Sequence, residues 1–586
     1  MTGVQTCALP ISRLVDHPVL LPFLPLIVER SAGNPFFAEE LISTLIEKAA
    51  ALNLSAQNPP DLTALSQALP ATVQAVIGER IDRLVGTQKT LLHICAVIGK
   101  EIPLSVLQQV AVYLVSQMES GLDALCEADM LKLLREILGG RHFAFRHPLI
   151  QEVAYTTQLK ARRANLHAAV AVAMEVHYSA QPGEFAALVA YHFEAAGQFV
   201  QAAVHEAQAA KWLGSTNTAQ ALKHWRKVWT LLDGQERSLQ VNSLRALAGG
   251  RIVFLGWREG ISPQEAQQII HEAIDLAHEA DTRLVQLLLY ARGRILQSGG
   301  GPADDYVACI QKALALSQPG KDVGRIAMLH VALSQAYAWA GLLREGLAAS
   351  DVAMAGLGQI DSFDREFMEL SIEQWALGIR IRMLIRMDRL AEAQVNLESM
   401  MATIYGHTDP VMAQIAHHLH VELASSSGQA SQAQMHADQV SQIAAQHASP
   451  YSRVFALWCG GKAQMTGRDF DAALQSYALA LEVITQTQVA VEFETEIRVG
   501  LAESHLRLGD PEKAVLAAEQ ALRLSKRRNN RLTECKALMV CGEAFKSYGG
   551  ATNFSRAEDS FEQAHQLIVK TGAMIFDAEL QLARAA

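Results

Sequence analysis

Small residues recur at a regular interval in the C-terminal part of the chain, and this recurrence restricts the fold more than any other feature. The interval is 41 and then 40 residues, at Gly461, Ala502 and Gly542. Small residues at such places let two helices approach closely, and each helix pair leaves an apolar face that only a neighbouring pair can cover. The period therefore predicts stacked helix pairs and an all-α fold. Three sets of positions align: Gly461, Ala473, Tyr477, Ala480; Ala502, Ala514, Ala518, Ala521; and Gly542, Ala557, Phe561, Ala564.

Composition and charge favour packed helices and exclude several classes of function. Half of the residues are hydrophobic but only 6% are aromatic, which is typical of helical packing rather than of sheets. The formal net charge of -10 repels phosphate backbones, so we expect no nucleic-acid partner. The most apolar run, 19–28, is too short to span a bilayer, and we expect no membrane segment. The seven cysteines form no Cys-x-x-Cys pair, as expected of a cytoplasmic protein.

The N-terminal quarter contains two smaller units. Residues 12–62 show two helical patterns separated by a turn at Gly33-Asn34-Pro35, and QNPPD at 57–61 indicates a linker. Residues 63–160 contain helical segments and then LKLLREILGGRHFAF, which alternates around Gly139-Gly140 as a β-hairpin does. Helices followed by a small hairpin predict a winged-helix domain. We expect residues 161–586 to form the helical repeats.

The helix expected to be third in the winged-helix domain, SGLDALCEADML, argues against DNA reading. It carries the acidic residues Asp123, Glu127 and Asp129 and has neither Lys nor Arg. A recognition helix needs donors for guanine edges and phosphates. We therefore interpret this domain as a spacer.

Motifs that would indicate an enzyme or a metal site are incomplete. The Gly-Lys pairs at 99–100, 320–321 and 461–462 lack the spacing or the Ser/Thr of a P-loop. His417 and His420 can share a helix face while His418 cannot, and no further metal ligand is evident nearby. We interpret these histidines as packed or exposed, and Glu39-Glu40 as a solvated helix start. No catalytic residue is predicted.

Several segments, taken in their order, resemble one kind of protein. They are ERSAGNPFFAEELISTLIE, LPATVQAVIGERIDRL, LLHICAVIGKEIPL, FAFRHPLIQEVAY and ARRANLHAAVAVAME. Together they resemble the C-terminal half of a bacterial signal-transduction ATPase with numerous domains (AAA/STAND type), as found fused to class III adenylate/guanylate cyclase domains. TGRDFDAALQSYALAL and RLGDPEKAVLAAEQAL resemble tetratricopeptide units, although their interval exceeds the usual 34 residues. The resemblance implies that residues 12–62 are the remnant of the ATPase's helical lid, followed by a winged-helix domain and a tetratricopeptide-like α-solenoid.

The resemblance also implies nucleotide contacts in an intact parent protein. Gly33 and Pro35 match the family's Gly-x-Pro motif, and His147 matches the histidine that related ATPases direct toward the β-phosphate of ADP. Those relatives often have Asp after the histidine, where this chain has Pro148. The alternative is that Pro35 is a plain helix breaker and His147 a capped residue of the wing. We expect no cofactor in this chain, and ATP or ADP with Mg²⁺ in the parent.

The first residues, 1–11, resemble a translated sequencing adapter. We expect an artefact there, with the ATPase and effector domains missing upstream; a genuine short N-terminus is the alternative. The chain is then a regulatory fragment without catalytic activity of its own. Its repeats are expected to bind a protein partner or small effector and so control a cyclase. Alternatives are a fragment of a transcription activator, a kinase-fused regulator, or a stand-alone repeat scaffold.

Overall fold

The computed structural model describes residues 18–51, 72–134, 140–278, 281–318, 320–368, 370–404, 410–447 and 449–585. Residues 1–11, the 57–61 linker and Gly139 lie outside these ranges, so the predictions made for them stay predictions. Helices dominate the described chain. None of the helices in these ranges is both long enough and apolar enough to cross a membrane.

The first eleven helices lie in the described part of residues 24–231, and the last four of them fall in the range predicted for the repeats. They are α1 (Leu24–Ser31), α2 (Pro35–Ala51), α3 (Val73–Asp82), α4 (Gly86–Ile98), α5 (Leu104–Val110), α6 (Val115–Glu127), α7 (Pro148–Thr156), α8 (Lys160–His177), α9 (Pro182–Ala195), α10 (Phe199–Leu213) and α11 (Thr218–Leu231). The chain divides into two compact units between Ala202 and Ala203.

The later helices of the described residues form eight successive pairs, with α18 as a short additional helix and α29 following the last pair. They are α12 (Leu239–Glu259), α13 (Pro263–His278), α14 (Thr282–Ser298), α15 (Ala303–Ala315), α16 (Val323–Ala340), α17 (Leu343–Gly356), α18 (Ser362–Met368), α19 (Ile372–Arg386), α20 (Leu390–Ile404), α21 (Pro410–Ser426), α22 (Ala430–His447), α23 (Pro450–Thr466), α24 (Phe470–Thr487), α25 (Glu494–Arg507), α26 (Pro511–Arg527), α27 (Arg531–Tyr548), α28 (Ala551–Thr571) and α29 (Asp577–Ala585).

The turn predicted at Gly33-Asn34-Pro35 is present between α1 and α2. Ala32 and Gly33 take positive φ angles of 45° and 82°, which end α1. The Asn34 side chain accepts hydrogen bonds from the amides of Phe36 and Phe37 at 3.1 and 3.2 Å and so caps α2. One expectation for this region is wrong: Glu40 is not solvated but buried, because its carboxylate pairs with Arg80 of α3.

Three short strands form an antiparallel sheet beside α4, α5 and α6. The hairpin predicted around Gly140 is confirmed, with β2 (Leu131–Leu133) paired to β3 (His142–Phe145). Strand β1 (Glu101–Pro103), which the sequence analysis did not predict, pairs with the other edge of β3 in the order β1-β3-β2. Its alternation is only three residues long, too short for a periodic signal. The winged-helix assignment stays a prediction.

The small residues of the predicted period lie where helices approach each other most closely. Tyr477 of α24 is wedged between two glycines: a Cβ atom added at Gly461 or at Gly500 would lie 2.5 Å from its ring. In the next but one pair, a Cβ at Gly542 would lie 2.3 Å from the Phe561 ring. The predicted fold class, an all-α tetratricopeptide-like α-solenoid, is confirmed, and the described part of 161–585 contains no strand.

Helix pairs near the start of the second unit, here called early pairs, are in direct contact with pairs near its end, here called late pairs. The amide of Ala303, the first residue of α15, donates to the carbonyl of Arg528 at 2.9 Å. The Arg531 guanidinium donates to the Ala340 carbonyl at 2.6 Å, and the side chains of Asp304 and Asn529 are 2.9 Å apart. These contacts bring together residues separated by about two hundred positions, so the first helices of many pairs surround one interior.

Two adjacent glycines in α23 test this packing. Gly461→Ala should lower the free energy of unfolding by about 1 to 3 kcal/mol, because the new methyl group displaces the Tyr477 ring. Gly460→Ala is the matched control: no atom lies within 4 Å of its Cβ position, so the greater helix propensity of alanine should raise the free energy by about 0.5 to 1 kcal/mol. Urea unfolding followed by tryptophan fluorescence measures both. Equal effects of the two substitutions would contradict the wedge.

Candidate functional site

The residues predicted to contact a nucleotide in the parent lie close together in the first unit. Gly33 forms the turn, Pro35 is the first residue of α2, and His147 precedes α7. The ring of Phe36, next to Pro35, stacks on His147 with 3.7 Å between centroids and an interplanar angle of 9°. The structure thus joins two motifs that are more than a hundred residues apart in sequence.

His147 has a structural function in this arrangement. Its Nδ1 accepts a hydrogen bond from the amide of Leu149 at 3.2 Å, which caps α7. Burial lowers the pKa of this imidazole, and the nearby Glu40 carboxylate opposes the shift only in part. His147 therefore caps α7 in this structure, and its contact to a phosphate stays a prediction.

The three histidines at 417–420 take the two environments that their spacing predicted. His417 and His420 face α22, where His436 lies 3.0 Å from His417 between Nδ1 atoms and stacks on His420 with 4.0 Å between centroids. His418 points to the other side and packs on Trp458 at 4.4 Å. No arrangement of three or more potential ligands fit to hold a metal occurs among the residues that the structure describes.

A cavity of about 130 Å³ lies inside the second unit, and sequence reasoning did not find it. It is lined mainly by the first helices of successive pairs, from α12 to α27. Four of the seven tryptophans of the chain are in its wall. Nine aromatic rings line it in all: Phe254, Trp257, Tyr290, Trp339, Trp375, Tyr451, Phe455, Trp458 and Phe493. The scarce aromatic residues of this chain are therefore concentrated around one space.

One buried ion pair contributes to this wall and also connects two distant pairs. Arg294 of α14 donates to Glu492, which precedes α25, at 3.2 Å, and their side chains are 8% and 1% exposed. The guanidinium also lies 4.4 Å from the ring centroid of Trp257, a favourable cation–π distance. Burial raises the pKa of Glu492 although Arg294 opposes the shift.

A larger ion cluster lies at the same wall, between α19, α21, α23 and α25. Glu422 is 2.7 Å from both Arg386 and Lys462 and 3.7 Å from Arg382. Glu496 accepts two hydrogen bonds from Arg382, at 2.9 and 3.1 Å. Burial by itself raises the pKa of each carboxyl, but the surrounding cations outweigh it, so the pKa of Glu422 lies well below its ordinary value and that of Glu496 is also lowered.

His418 adds no charge to this cluster near neutral pH. Burial lowers its pKa to about 4, and Glu422 opposes the shift. The imidazole Nδ1 is 3.2 Å from Cys459 Sγ, and the ring lies among aromatic side chains. His418 is thus a neutral part of the cavity wall.

A second cavity, of about 610 Å³, adjoins the first and shares Arg386, Trp458, Glu496 and Leu532 with it. Its own charged groups include Lys536, which is 3.0 Å from Glu503 and 2.7 Å from Glu579. Carboxylates therefore outnumber cations in the lining of the second cavity. In the first cavity, which we call the aromatic cavity, arginines outnumber carboxylates. The two spaces differ in electrostatic character.

The sequence contains one signal that points to this site. The segment ALGIRIRMLIRM places Arg380, Arg382 and Arg386 within an otherwise apolar helix. Arginine in an apolar stretch must be exposed or paired. Arg382 and Arg386 are paired in the interior, and their partner Glu496 is more than a hundred residues away. Only the folded structure shows which carboxylates pair with these two arginines.

Comparisons with known proteins give distant similarity. No protein-family model matches the sequence. An uncharacterised protein of Rhizobium meliloti (strain 1021) is 28% identical over 269 residues, 44% of this chain and 25% of the relative. The chain thus spans about a quarter of the length of that relative.

Solved structures of helical-repeat proteins align with low scores. The Rap protein in complex with competence and sporulation factor has 12% identity over 65% of this chain and 98% of that one, with a TM-score of 0.34. A signal-transduction ATPase with a tetratricopeptide repeat sensor from Pyrococcus horikoshii has 13% identity over 95% of this chain and 73% of that one, with a TM-score of 0.35. Yeast Tom70 has 13% identity over 73% and 96%, with a TM-score of 0.29.

The buried pair Arg294–Glu492 gives a prediction about stability. Arg294→Met should lower the free energy of unfolding by about 3 to 5 kcal/mol at pH 7, because Glu492 is then buried without its cation. Adding Glu492→Gln should restore much of this loss. The deficit should also shrink as the pH falls from 7 to 5: a carboxyl whose folded pKa is raised binds a proton more readily in the folded state, which gains stability.

Urea unfolding followed by tryptophan fluorescence provides the measurement. The control is Arg389→Met, which removes an exposed pair with Glu392 and should cost less than about 1 kcal/mol. If Arg294→Met costs no more than this control, the pair does not hold the two helix pairs together.

Proposed function

We propose that residues 203–586 form the sensing part of a regulatory protein and bind a small organic effector in the aromatic cavity. The observation that carries this proposal is the composition of the wall: nine aromatic rings with Arg294, Arg382 and Arg386 among them. Apolar walls with a few placed polar groups are typical of sites for small organic molecules. Replacing buried ion pairs by packed apolar residues often leaves stability unchanged or improves it, so a purely structural interior has no need of them.

Such an effector acts through the contacts between early and late helix pairs. The cavity wall combines residues from α12 and α14 with residues from α25 and α27, and it exists only while these pairs are in contact. A ligand that touches both sets binds the closed arrangement better than an open one. It therefore shifts the population toward the closed arrangement, which can be transmitted to an attached domain.

The attached domain is proposed from the sequence resemblance. Residues 12–62 and 63–160 are proposed to be the remnant of the helical lid and the winged-helix domain of a signal-transduction ATPase, and the regulated domain is then an adenylate or guanylate cyclase in a longer parent. The stacking of Phe36 on His147, which brings together the family's two nucleotide-contacting motifs, supports this proposal. This chain itself is proposed to have no catalytic activity.

Binding of a neutral fluorescent probe tests the cavity as a site. N-phenyl-1-naphthylamine should bind the whole chain once, with energy transfer from the tryptophans of the wall. Ala338→Phe places a ring in the lining of the cavity and should weaken binding at least about ten-fold by occupying the space. Ala348→Phe, at an exposed position of the next helix, is the matched control and should leave binding unchanged. Absence of saturable binding, or equal effects of both substitutions, would contradict the proposed site.

Calorimetry with ADP tests the nucleotide part of the proposal. Pro35 and His147 supply at most a packing contact and one charged hydrogen bond, the latter about 1.5 to 3 kcal/mol. Loss of translational and rotational freedom costs about 4 kcal/mol or more, and a Kd of 1 mM requires about 4.1 kcal/mol net. We expect ADP to bind this chain more weakly than about 1 mM. A micromolar site would mean that the chain contains a complete nucleotide pocket, against the proposal.

A further inference from the structure

We propose that the effector carries one acidic group on an aromatic or otherwise apolar body, and that Arg382 and Arg386 bind the acidic group. This inference rests on the proposed function and specifies the class of ligand. The two arginines are four residues apart on α19, so they lie on one face of the helix, and both line the aromatic cavity. The side chains of Arg382 and Arg386 are 22% and 16% exposed, so neither is fully enclosed by protein.

Each guanidinium has donors left over. Arg382 uses Nη2 for Glu496 and places Nε 3.7 Å from Glu422. Arg386 uses Nη2 for Glu422 and Glu496. In the ranges that the structure describes, Nη1 of either arginine has no hydrogen-bond partner. The two Nη1 atoms, each with two N–H bonds, are thus free for an acceptor that enters the cavity.

The charges of the cluster favour an anion there. In the lining of the aromatic cavity Arg382 and Arg386 provide two cations and Glu496 one anion, while Lys462 and Glu422, which line the second cavity, neutralise each other. His418, which touches Glu422, stays neutral at pH 7. Arg294 does not alter the balance because Glu492 neutralises it. One positive charge is therefore left over beside the aromatic walls.

Neighbouring groups compensate this charge only in part. The Arg382 guanidinium lies 5.3 Å from the Trp339 centroid and 5.6 Å from that of Trp458, and Lys462 is 5.6 Å from Trp458. Ring faces attract cations, but a carboxylate or sulfonate does so far more strongly and accepts paired hydrogen bonds from guanidinium groups. The excess carboxylates around Lys536 lie in the second cavity, so an anion is favoured in the aromatic one.

Two probes that differ by one acidic group test the inference on the whole chain. 8-Anilinonaphthalene-1-sulfonate has the same ring system as N-phenyl-1-naphthylamine and adds a sulfonate. We expect the sulfonate probe to bind at least about ten-fold more tightly at moderate salt, because a charged hydrogen bond is gained. If neither probe binds, the proposed function fails. If both bind equally well, only the inference about the acidic group fails.

Substitutions locate the acidic group. Arg382→Met and Arg386→Met should each weaken the sulfonate probe about ten-fold and leave the neutral probe within about two-fold. Arg389→Met, at an exposed position in the turn before α20, is the control and should change neither probe. Because Arg382→Met leaves Glu496 short of a cation, the pair Arg382→Met/Glu496→Gln is tested as well, and neutral-probe binding reports whether the cavity has formed. Equal loss of both probes, or no loss of the sulfonate probe, would overturn the assignment.

Discussion

The contact between helix pairs that are about two hundred residues apart is the constraint on which the rest of the second unit depends. Arg294 forms an ion pair with Glu492. The Ala303 amide donates a hydrogen bond to the Arg528 carbonyl, and the Arg531 guanidinium donates one to the Ala340 carbonyl. Without these contacts the first helices of the pairs face water, and their tryptophans and arginines line no common space. With these contacts, the array of helix pairs encloses a cavity, and many pairs contribute residues to its wall.

The small residues at the helix contacts and the charged residues at the cavity have different functions in the second unit. Gly461 and Gly500 hold Tyr477 between consecutive first helices, which fixes the spacing of neighbouring pairs. This packing is local and repeats along the chain. The charged cluster of Arg382, Arg386, Glu422, Glu496 and Lys462 does not repeat, and it lies at one place only in the described chain. Periodic packing builds the scaffold, and the non-periodic charges distinguish one region of its interior as a candidate site.

The sequence predicted those features whose cause is local. The interval between Gly461, Ala502 and Gly542 predicted the helix pairs, Gly33-Asn34-Pro35 predicted a turn, and the alternation near Gly140 predicted a hairpin. Strand β1 was missed because three residues are too short to show alternation, and its pairing partner is about forty residues away. Glu40 was misjudged as solvated for a similar reason, since Arg80 belongs to another helix. The cavity could not be predicted, because its wall exists only after residues 254 to 532 have come together.

Amide hydrogen exchange at Ala303 tests the central claim, the contact between early and late pairs, without altering the protein. Ala303 is the first residue of its helix, and an amide at that position has no acceptor within the helix. The Arg528 carbonyl, 2.9 Å away, supplies one only if the pairs are in contact. Exchange resolved to single residues by mass spectrometry should therefore show protection at Ala303. It should show fast exchange at Leu239, the exposed first residue of α12, whose amide has no acceptor in the described structure. Equally fast exchange at both amides would contradict the account.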